Sequence, residues 1–202
     1  FTAIAGNLPT APMLMGNTVV WKPSPTQAYS AHLTLRLLEA AGLPPGVINL
    51  VNGDGAGVGA PLTTHPDVDM LSFTGSTRAG QLVMRAAADG IKKVALELGG
   101  KSANIILDDA DFTRAVTQGV MTLMLNSGQN CNAPSRMLVP AGRLDEVEAL
   151  AVAALARVRV GDPLDAATTM GPLANGAQFE RVQRLIEAGV AEGAKLVAGG
   201  PG

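Results

Sequence analysis

TVVWKPSPTQAYSAHLTLRLLEAAGLPPGVINLV, residues 18–51, places an amphipathic run between two short apolar runs. The apolar runs at 18–22 and 47–51 predict strands, and 27–41 predicts a helix. Gly42 and the Pro44-Pro45 pair are a helix stop signal. A strand, a helix and a strand within about thirty residues have the size of a βαβ unit, whose strands are parallel.

The same alternation continues on both sides of this unit. Further strands are predicted at 70–73, 94–98, 104–107 and 137–139, and further helices at 112–125, 144–157 and 178–192. This order predicts an α/β fold in which helices cover parallel sheets, with layers on both faces of strands 94–98 and 104–107. Gly99-Gly100 interrupts the pattern, so we expect one domain at 1–98 and a second at 99–202.

Composition favours small-molecule chemistry. The 202 residues are 47% apolar, and 15 basic and 17 acidic residues are scattered along the chain. A formal net charge of −2 gives no reason to expect nucleic acid or a membrane as a partner. Residues 1–21 carry no charge, but Pro9 and Pro12 interrupt them, so they predict buried irregular chain and neither a membrane span nor a secretion signal.

One cysteine excludes an internal disulfide, and His32 and His65 form no cluster with metal-ligand spacing. No metal is therefore expected, and a reducing, cytoplasmic setting is favoured. An isolated cysteine is ordinarily an inert core residue, so the sequence around it decides its role. The methionines are interpreted as core packing, namely Met121, Met124 and Met137.

Three segments are candidates for binding an anionic ligand. FTGSTRAG at 73–80 runs from a strand through small residues into a helix, which suits a phosphate, although Ser76 could equally be a helix cap. GDGAGVG at 53–59 resembles a dinucleotide fingerprint, but Val58 stands where the third glycine belongs, so a simple turn is as good an interpretation. Lys22 ends a strand at the edge where ligands bind, or is a solvated lysine.

Two residues could carry catalysis. Glu97 lies in the apolar strand of VALELGGK at 94–101. A buried carboxylate has a partner, faces a cavity, or binds a proton more strongly than a carboxylate in water. An increased proton affinity suits a general base. Cys131 lies in NSGQNCNAP at 126–134, a loop of small polar residues that leaves the sulfur accessible to a substrate. Pairing of Cys131 with His32 or His65, as in a cysteine hydrolase, remains an alternative.

The order GNTVVWKPS (16–24), FTGST (73–77), LELGGK (96–101) and GQNC (128–131) resembles the aldehyde dehydrogenase superfamily. The resemblance extends from Phe1 to Gly202 and implies an internal segment of a three-domain enzyme. Residues 1–98 would be the later part of its dinucleotide-binding domain, and 99–202 the first part of its catalytic domain. Its cofactor would be NAD, with NADP as the alternative, and the complete enzyme would be a homodimer or homotetramer.

The resemblance also assigns roles to residues. Cys131 would attack the aldehyde, hydride would pass to the nicotinamide, and water activated by Glu97 would hydrolyse the thioester. Lys22 would bind the adenosine ribose and Ser76 the pyrophosphate. The cofactor contacts implied in this way are Lys22, Ser24, Gly55, Gly59, Gly75, Ser76 and Leu98.

Three features depart from the family pattern or divide it. The oxyanion asparagine belongs immediately before Phe1, and Pro25 stands where many members have an acidic residue for the ribose hydroxyls. FTAIAGNLP at 1–9 resembles the pyrroline-carboxylate (glutamate semialdehyde) dehydrogenase branch, whereas 97–140 resembles general aldehyde dehydrogenases. Two alternatives remain: a coenzyme A-acylating relative, against which Glu97 argues, and a cofactor-binding fragment without activity.

Overall fold

The computed structural model describes residues 2–202, and among residues 2–5 it describes the side chain of Ile4 alone. Phe1, where the resemblance begins, lies outside the described residues. The chain divides into two compact units, Phe1–Leu98 and Gly99–Gly202. Within the described residues, no helix is long and apolar enough to span a bilayer.

The first half of unit one contains helix α1 (Thr2–Leu14), strand β1 (Val19–Trp21), helix α2 (Ala28–Ala40) and strand β2 (Ile48–Leu50). β1 and β2 are parallel, with Val19 opposite Ile48 and Trp21 opposite Leu50. The core of this half consists of the buried side chains of Trp21, Ala31 and Ile48. The predicted βαβ unit is confirmed, because the helix between the two strands buries Ala31 against them.

The second half of unit one contains helix α3 (Ala60–Thr64), strand β3 (Met70–Gly75), helix α4 (Thr77–Ala88) and strand β4 (Lys93–Leu98). β3 and β4 are parallel over six residue pairs, from Met70 opposite Lys93 to Gly75 opposite Leu98. Gly80 of α4 is buried, and a Cβ there would lie 2.6 Å from Leu98 Cδ2. The absence of a side chain at Gly80 therefore lets α4 approach the end of β4.

Unit two contains strand β5 (Ala103–Ile105), helix α5 (Phe112–Met124), strand β6 (Arg136–Leu138), helix α6 (Leu144–Leu155) and helix α7 (Gly176–Ala191). β5 and β6 are parallel, with Asn104 opposite Met137. Apolar side chains from α5, α6 and the end of β5 form the core, and its buried members are Ile106, Phe112, Val116, Val120, Val147 and Ala154.

Just before α6, the Arg143 side chain packs on the ring of Phe112. The Arg143 guanidinium lies 3.9 Å from the centre of the Phe112 ring. It also donates to both carboxylate oxygens of Glu146, at 2.6 and 2.9 Å. This pairing raises the pKa of Arg143 and lowers the pKa of Glu146 from their ordinary values.

The interpretation of 1–21 as irregular chain is wrong, because residues 2–14 form α1 with Pro9 and Pro12 inside it. Pro9 is fully buried, and α1 packs against α2 and β1. The Thr10 hydroxyl donates to the Gly6 carbonyl at 2.8 Å, one turn earlier in the helix. Burial of one side of the helix outweighs the proline penalty that the sequence suggested.

β4 and β5 are covered on one face in this chain, and cover on the other face stays a prediction for the complete protein. Along β4, Lys93, Ala95 and Glu97 are exposed, whereas the alternate residues are half-buried. In β5 the Asn104 side chain is half-buried and its neighbours are exposed. Each strand therefore packs through one face here.

Candidate active site

Cys131 is exposed and lies three residues after a tight turn that follows α5. Residues Leu125–Gly128 form one turn in which Asn126 and Ser127 have φ values of 54° and 57°. Gly128 follows with φ 72°, so three consecutive residues adopt the left-handed conformation. Such a run is disfavoured for residues with a side chain, and it persists only where surrounding contacts hold it.

The loop closes on itself through side-chain amides. Gln129 Nε2 donates to the Asn126 carbonyl at 3.0 Å, and Asn126 Nδ2 donates to the Gln129 carbonyl at 3.2 Å. Asn130 Nδ2 donates to the Leu125 carbonyl at 3.2 Å. The small polar residues that made the loop look accessible therefore also determine its conformation.

The first residues of unit two lie at the backbone of Cys131. A Cβ on Gly100 would be 3.4 Å from the Cys131 carbonyl oxygen, which is van der Waals contact. Arg136 Nε donates to the Lys101 carbonyl at 2.8 Å, and Arg136 N donates to the Ser102 carbonyl at 3.2 Å. Gly100, at the start of unit two, thus lies against the backbone of Cys131.

Glu97 lies opposite Thr74 in the parallel pair of β3 and β4. It is on the exposed face of β4, which corrects the interpretation that this carboxylate is inside an apolar strand and needs a partner or cavity. The alternation along the strand explains the difference, since the half-buried positions are Val94, Leu96 and Leu98. In this chain Glu97 is accessible to water.

Lys22 is held over the glycine-rich segment that follows β2. Its Nζ donates to the Pro23 carbonyl at 2.7 Å and to the Gly53 carbonyl at 3.1 Å. A Cβ on Gly59 would lie 3.6 Å from Lys22 Cε. Lys22 is thus half-buried and bonded to two carbonyls, and two of the predicted cofactor residues, Lys22 and Gly59, lie together.

The glycine-rich segment is neither a free loop nor a simple turn. Gly55–Gly59 forms one wide helical turn that leads directly into α3. Asp54 caps this turn, because its Oδ1 accepts a hydrogen bond from Gly57 N at 2.5 Å. The prediction missed this cap, although an aspartate before a helical run is a readable signal.

The remaining predicted cofactor residues divide into two groups. Ser24 follows β1, and its Oγ lies 3.0 Å from Thr26 Oγ1. Gly75 and Leu98 face each other at the ends of β3 and β4. Ser76 caps α4, since its Oγ accepts a hydrogen bond from Ala79 N at 3.2 Å. A capping serine keeps its O–H as a donor, so a role as helix cap and a contact with phosphate are compatible.

The sequence profile of the Aldehyde dehydrogenase family matches residues 2–202. The chain belongs to this family. It is 63% identical over 187 residues to 3-succinoylsemialdehyde-pyridine dehydrogenase of Pseudomonas sp., covering 93% of this chain and 39% of that protein. It is 45% identical, with the same coverage, to a putative aldehyde dehydrogenase of Staphylococcus saprophyticus.

Solved aldehyde dehydrogenases share the fold. A mutant of aldehyde dehydrogenase C from Pseudomonas syringae, complexed with NAD+ and octanal, superposes with a TM-score of 0.90 at 58% identity, over 92% of this chain and 38% of that one. An NAD+ complex of the Bacillus cereus enzyme gives 0.87 at 43% identity, over 90% and 37%. The chain thus spans less than half the length of the aldehyde dehydrogenases that it matches.

Membership of the aldehyde dehydrogenase family confirms the resemblance and the α/β fold predicted from the sequence. The half-buried Met121, Met124 and Met137 fit their interpretation as packing, and Met137 lies against the core of unit two. Two side chains of the Cys131 loop, Ser127 and Gln129, form hydrogen bonds with residues 171 and 174, and no sequence pattern indicates either contact. Among the described residues, no group of acidic, histidine or cysteine side chains could hold a metal ion.

Proposed function

We propose that the protein carrying this chain oxidises an aldehyde to a carboxylic acid with NAD, through a thioester on Cys131. The observation that supports this most directly is the exposed cysteine in a loop held by its own amide side chains. A thiol that substrate can reach, in a defined position, is what nucleophilic catalysis requires. Membership of the aldehyde dehydrogenase family supports the reaction type.

The residues present fit an anionic dinucleotide. Lys22 supplies a cation beside Gly53 and Gly59, and the N-terminus of α4 supplies backbone donors next to Ser76. We infer that the adenosine part of NAD is contacted by Lys22, Ser24, Gly55 and Gly59. We infer that its pyrophosphate and nicotinamide parts are contacted by Gly75, Ser76 and Leu98. NAD supplies, when bound, the acceptor for the hydride that leaves the aldehyde carbon.

The chain's own residues account for the remaining steps. Cys131 Sγ, as a thiolate, forms a bond to the carbonyl carbon, and loss of hydride from that carbon leaves a thioester. Glu97 takes a proton from a water molecule, whose oxygen attacks the thioester carbon. The C–S bond then breaks, which releases the acid and restores the thiolate, and the proton on Glu97 passes to solvent. The unit Phe1–Leu98 would belong to the cofactor domain and Gly99–Gly202 to the catalytic domain.

The aldehyde itself is a separate proposal. The resemblance of 1–9 to the pyrroline-carboxylate branch suggests glutamate semialdehyde, whereas a relative at 63% identity is named for a succinoylsemialdehyde-pyridine. Both are semialdehydes that carry a second polar group, and this class is our first choice for the substrate. We further propose a cytoplasmic homodimer or homotetramer with no nucleic-acid or membrane partner.

Replacing Glu97 tests the hydrolysis step. In the complete protein, Glu97→Gln keeps the side chain's shape but cannot take a proton from water, so a thioester on Cys131 should accumulate. Rapid mixing with NAD and aldehyde should give one fast equivalent of NADH followed by a slow steady state. Glu187→Gln, the same exchange at an exposed position of α7, is the control and should turn over like wild type.

Two results would contradict this assignment. Unchanged turnover in Glu97→Gln would remove Glu97 from the mechanism. Restoration of steady turnover by coenzyme A, with an acyl-coenzyme A product in wild type as well, would favour the acylating alternative instead.

A further inference from the structure

Two long-range hydrogen bonds connect the Cys131 loop to residues 171–174 of unit two, which we call the anchor segment. Ser127 Oγ donates to the Gly171 carbonyl at 2.7 Å, across 44 residues of sequence. Gln129 Oε1 accepts from Ala174 N at 2.8 Å, across 45 residues. Both side chains are half-buried, whereas Asn126, Asn130 and Cys131 around them are exposed. The loop is therefore anchored through its two partly covered residues.

Gln129 uses both ends of its amide. Its oxygen accepts from Ala174, and its nitrogen donates to the carbonyl of Asn126, one of the residues in the left-handed conformation. A single side chain thus links the disfavoured turn to the anchor segment. A carboxylate could replace only the acceptor, and its second oxygen would repel the Asn126 carbonyl.

The anchor segment is itself held at both ends. Before it, Met170 pairs with Val160, and Met170 N donates to the Arg159 carbonyl at 3.0 Å. After it, Asn175 caps α7 by accepting from Gln178 N at 2.9 Å. Residues 171–174 therefore connect the β-bridge at Met170 to the start of α7. Because both ends of this segment are held, it can hold the Cys131 loop in position.

We propose that Ser127 and Gln129 are positioning residues that hold Cys131 Sγ for attack on the aldehyde. They act through the backbone of the loop, because the three left-handed residues keep their conformation only while their contacts persist. The inference rests on the proposed function, since it assigns a purpose to the fixed geometry of that thiol. Orientation of a nucleophile matters because a displacement of about 1 Å can cost on the order of a hundredfold in rate.

The test separates orientation from exposure in the complete protein. Ser127→Ala removes the bond to Gly171, and Gln129→Glu removes the donor to Asn126. Ser135→Ala, in the same loop, and Gln178→Glu, at the start of α7, repeat the two exchanges where no side-chain hydrogen bond occurs among the described residues. For each variant we would measure two rates. The first is the rate of NADH formation in the first turnover, which we call the burst. The second is the rate at which iodoacetamide alkylates Cys131.

We expect Ser127→Ala and Gln129→Glu to slow the burst by about tenfold to a hundredfold. Alkylation should stay at the wild-type rate, because a small reagent needs only an exposed thiol. Both controls should behave like wild type. If Gln129→Glu does not fold, Ser127→Ala carries the test with Ser135→Ala as its control.

Three outcomes would overturn the proposal. A burst of wild-type rate in both variants shows that the anchors do not orient the thiol. An equal fall in burst and alkylation shows a general loss of the loop instead of a loss of orientation. Absence of NADH formation by wild type with any aldehyde of the panel, or full activity of Cys131→Ser, removes the proposed function itself, and the positioning role with it.

Discussion

Cys131 is an exposed thiol in a loop of small polar residues, and this setting makes a prediction about its reactivity. We expect it to be the preferred site of alkylation near neutral pH in the complete protein, because an inert structural cysteine would be buried in apolar surroundings. A saturating aldehyde should protect it by occupying the sulfur. Peptide mass spectrometry after a limited dose of iodoacetamide measures both effects, and an unmodified Cys131 in active, unliganded enzyme contradicts its nucleophilic role.

We expect Pro25 to affect the choice between NAD and NADP. It begins a single helical turn, Pro25–Gln27, directly after Ser24. An acidic residue near the ribose accepts hydrogen bonds from its hydroxyls and repels a 2′-phosphate, whereas proline does neither. We therefore expect the preference for NAD over NADP in kcat/KM to stay below about a thousandfold, which is about 4 kcal/mol.

The matched variant is Pro25→Glu, which should increase the preference for NAD. A wild-type preference above this limit would show that another residue selects the cofactor. A preference that Pro25→Glu leaves unchanged would show that position 25 does not face the ribose.

At the scale of helices and strands, the six strands and the helices α2, α5, α6 and α7 lie where apolar periodicity predicts them, with bounds that differ by one or two residues. The failures have local causes. α1 contains two prolines, and its burial against α2 and β1 outweighs their cost. α3 follows a run of glycines that ordinarily signals a loop, and Asp54 starts it. Propensity fails where tertiary contacts decide.

Gly119 of α5 allows a helix to pack directly on a sheet. A Cβ there would lie 2.3 Å from Asn104 Nδ2 and 2.9 Å from Met137 Cε, on β5 and β6. Alanine gains about 1 kcal/mol of helix propensity, but forcing atoms into a packed site costs about 1–3 kcal/mol. We expect Gly119→Ala to lower the free energy of unfolding by about 1 kcal/mol in net terms.

Gly189→Ala in α7 is the control, because nothing lies within 4 Å of its added Cβ. It should raise the free energy of unfolding by up to about 1 kcal/mol. Thermal or urea unfolding of both variants of the complete protein gives the comparison. Equal stabilisation by the two exchanges would mean that α5 does not rest on the sheet at Gly119.

For the whole chain, the large apolar side chains that remain exposed predict its behaviour when it is expressed alone. The most exposed include Leu14, Met15, Tyr29, Leu37, Ile91, Leu107, Leu125, Leu164 and Leu185. The chain also spans 39% of the length of the relatives that it matches. Apolar surface and one-sided strand pairs favour association, so we expect the 202-residue chain to self-associate and to show no dehydrogenase activity.

Light scattering and an NADH assay with a panel of aldehydes test the two halves of this expectation together. A monodisperse monomer that steadily produces NADH would contradict both. Self-association with activity would mean that the chain completes its site by pairing with a second copy.

The residues that we propose for the chemistry could be chosen from the sequence, whereas the contacts that hold them in place could not. Cys131, Glu97 and Lys22 stand in short motifs whose order along the chain is informative. Contacts such as Ser127 to Gly171 join residues 44 positions apart, and no local pattern encodes them. The exposure of Glu97 depends on which face of β4 is covered, and this is a property of packing.

The anchoring of the Cys131 loop has a consequence for biosynthesis. Ala174 follows Gln129 by 45 residues, so a ribosome adding about 5–20 residues per second reaches it about 2–9 s later. Until that segment has emerged and α7 has begun to form, the turn at Asn126–Gly128 lacks its external support. The cysteine is therefore translated early but acquires its final geometry late, after the second half of its own unit has been made.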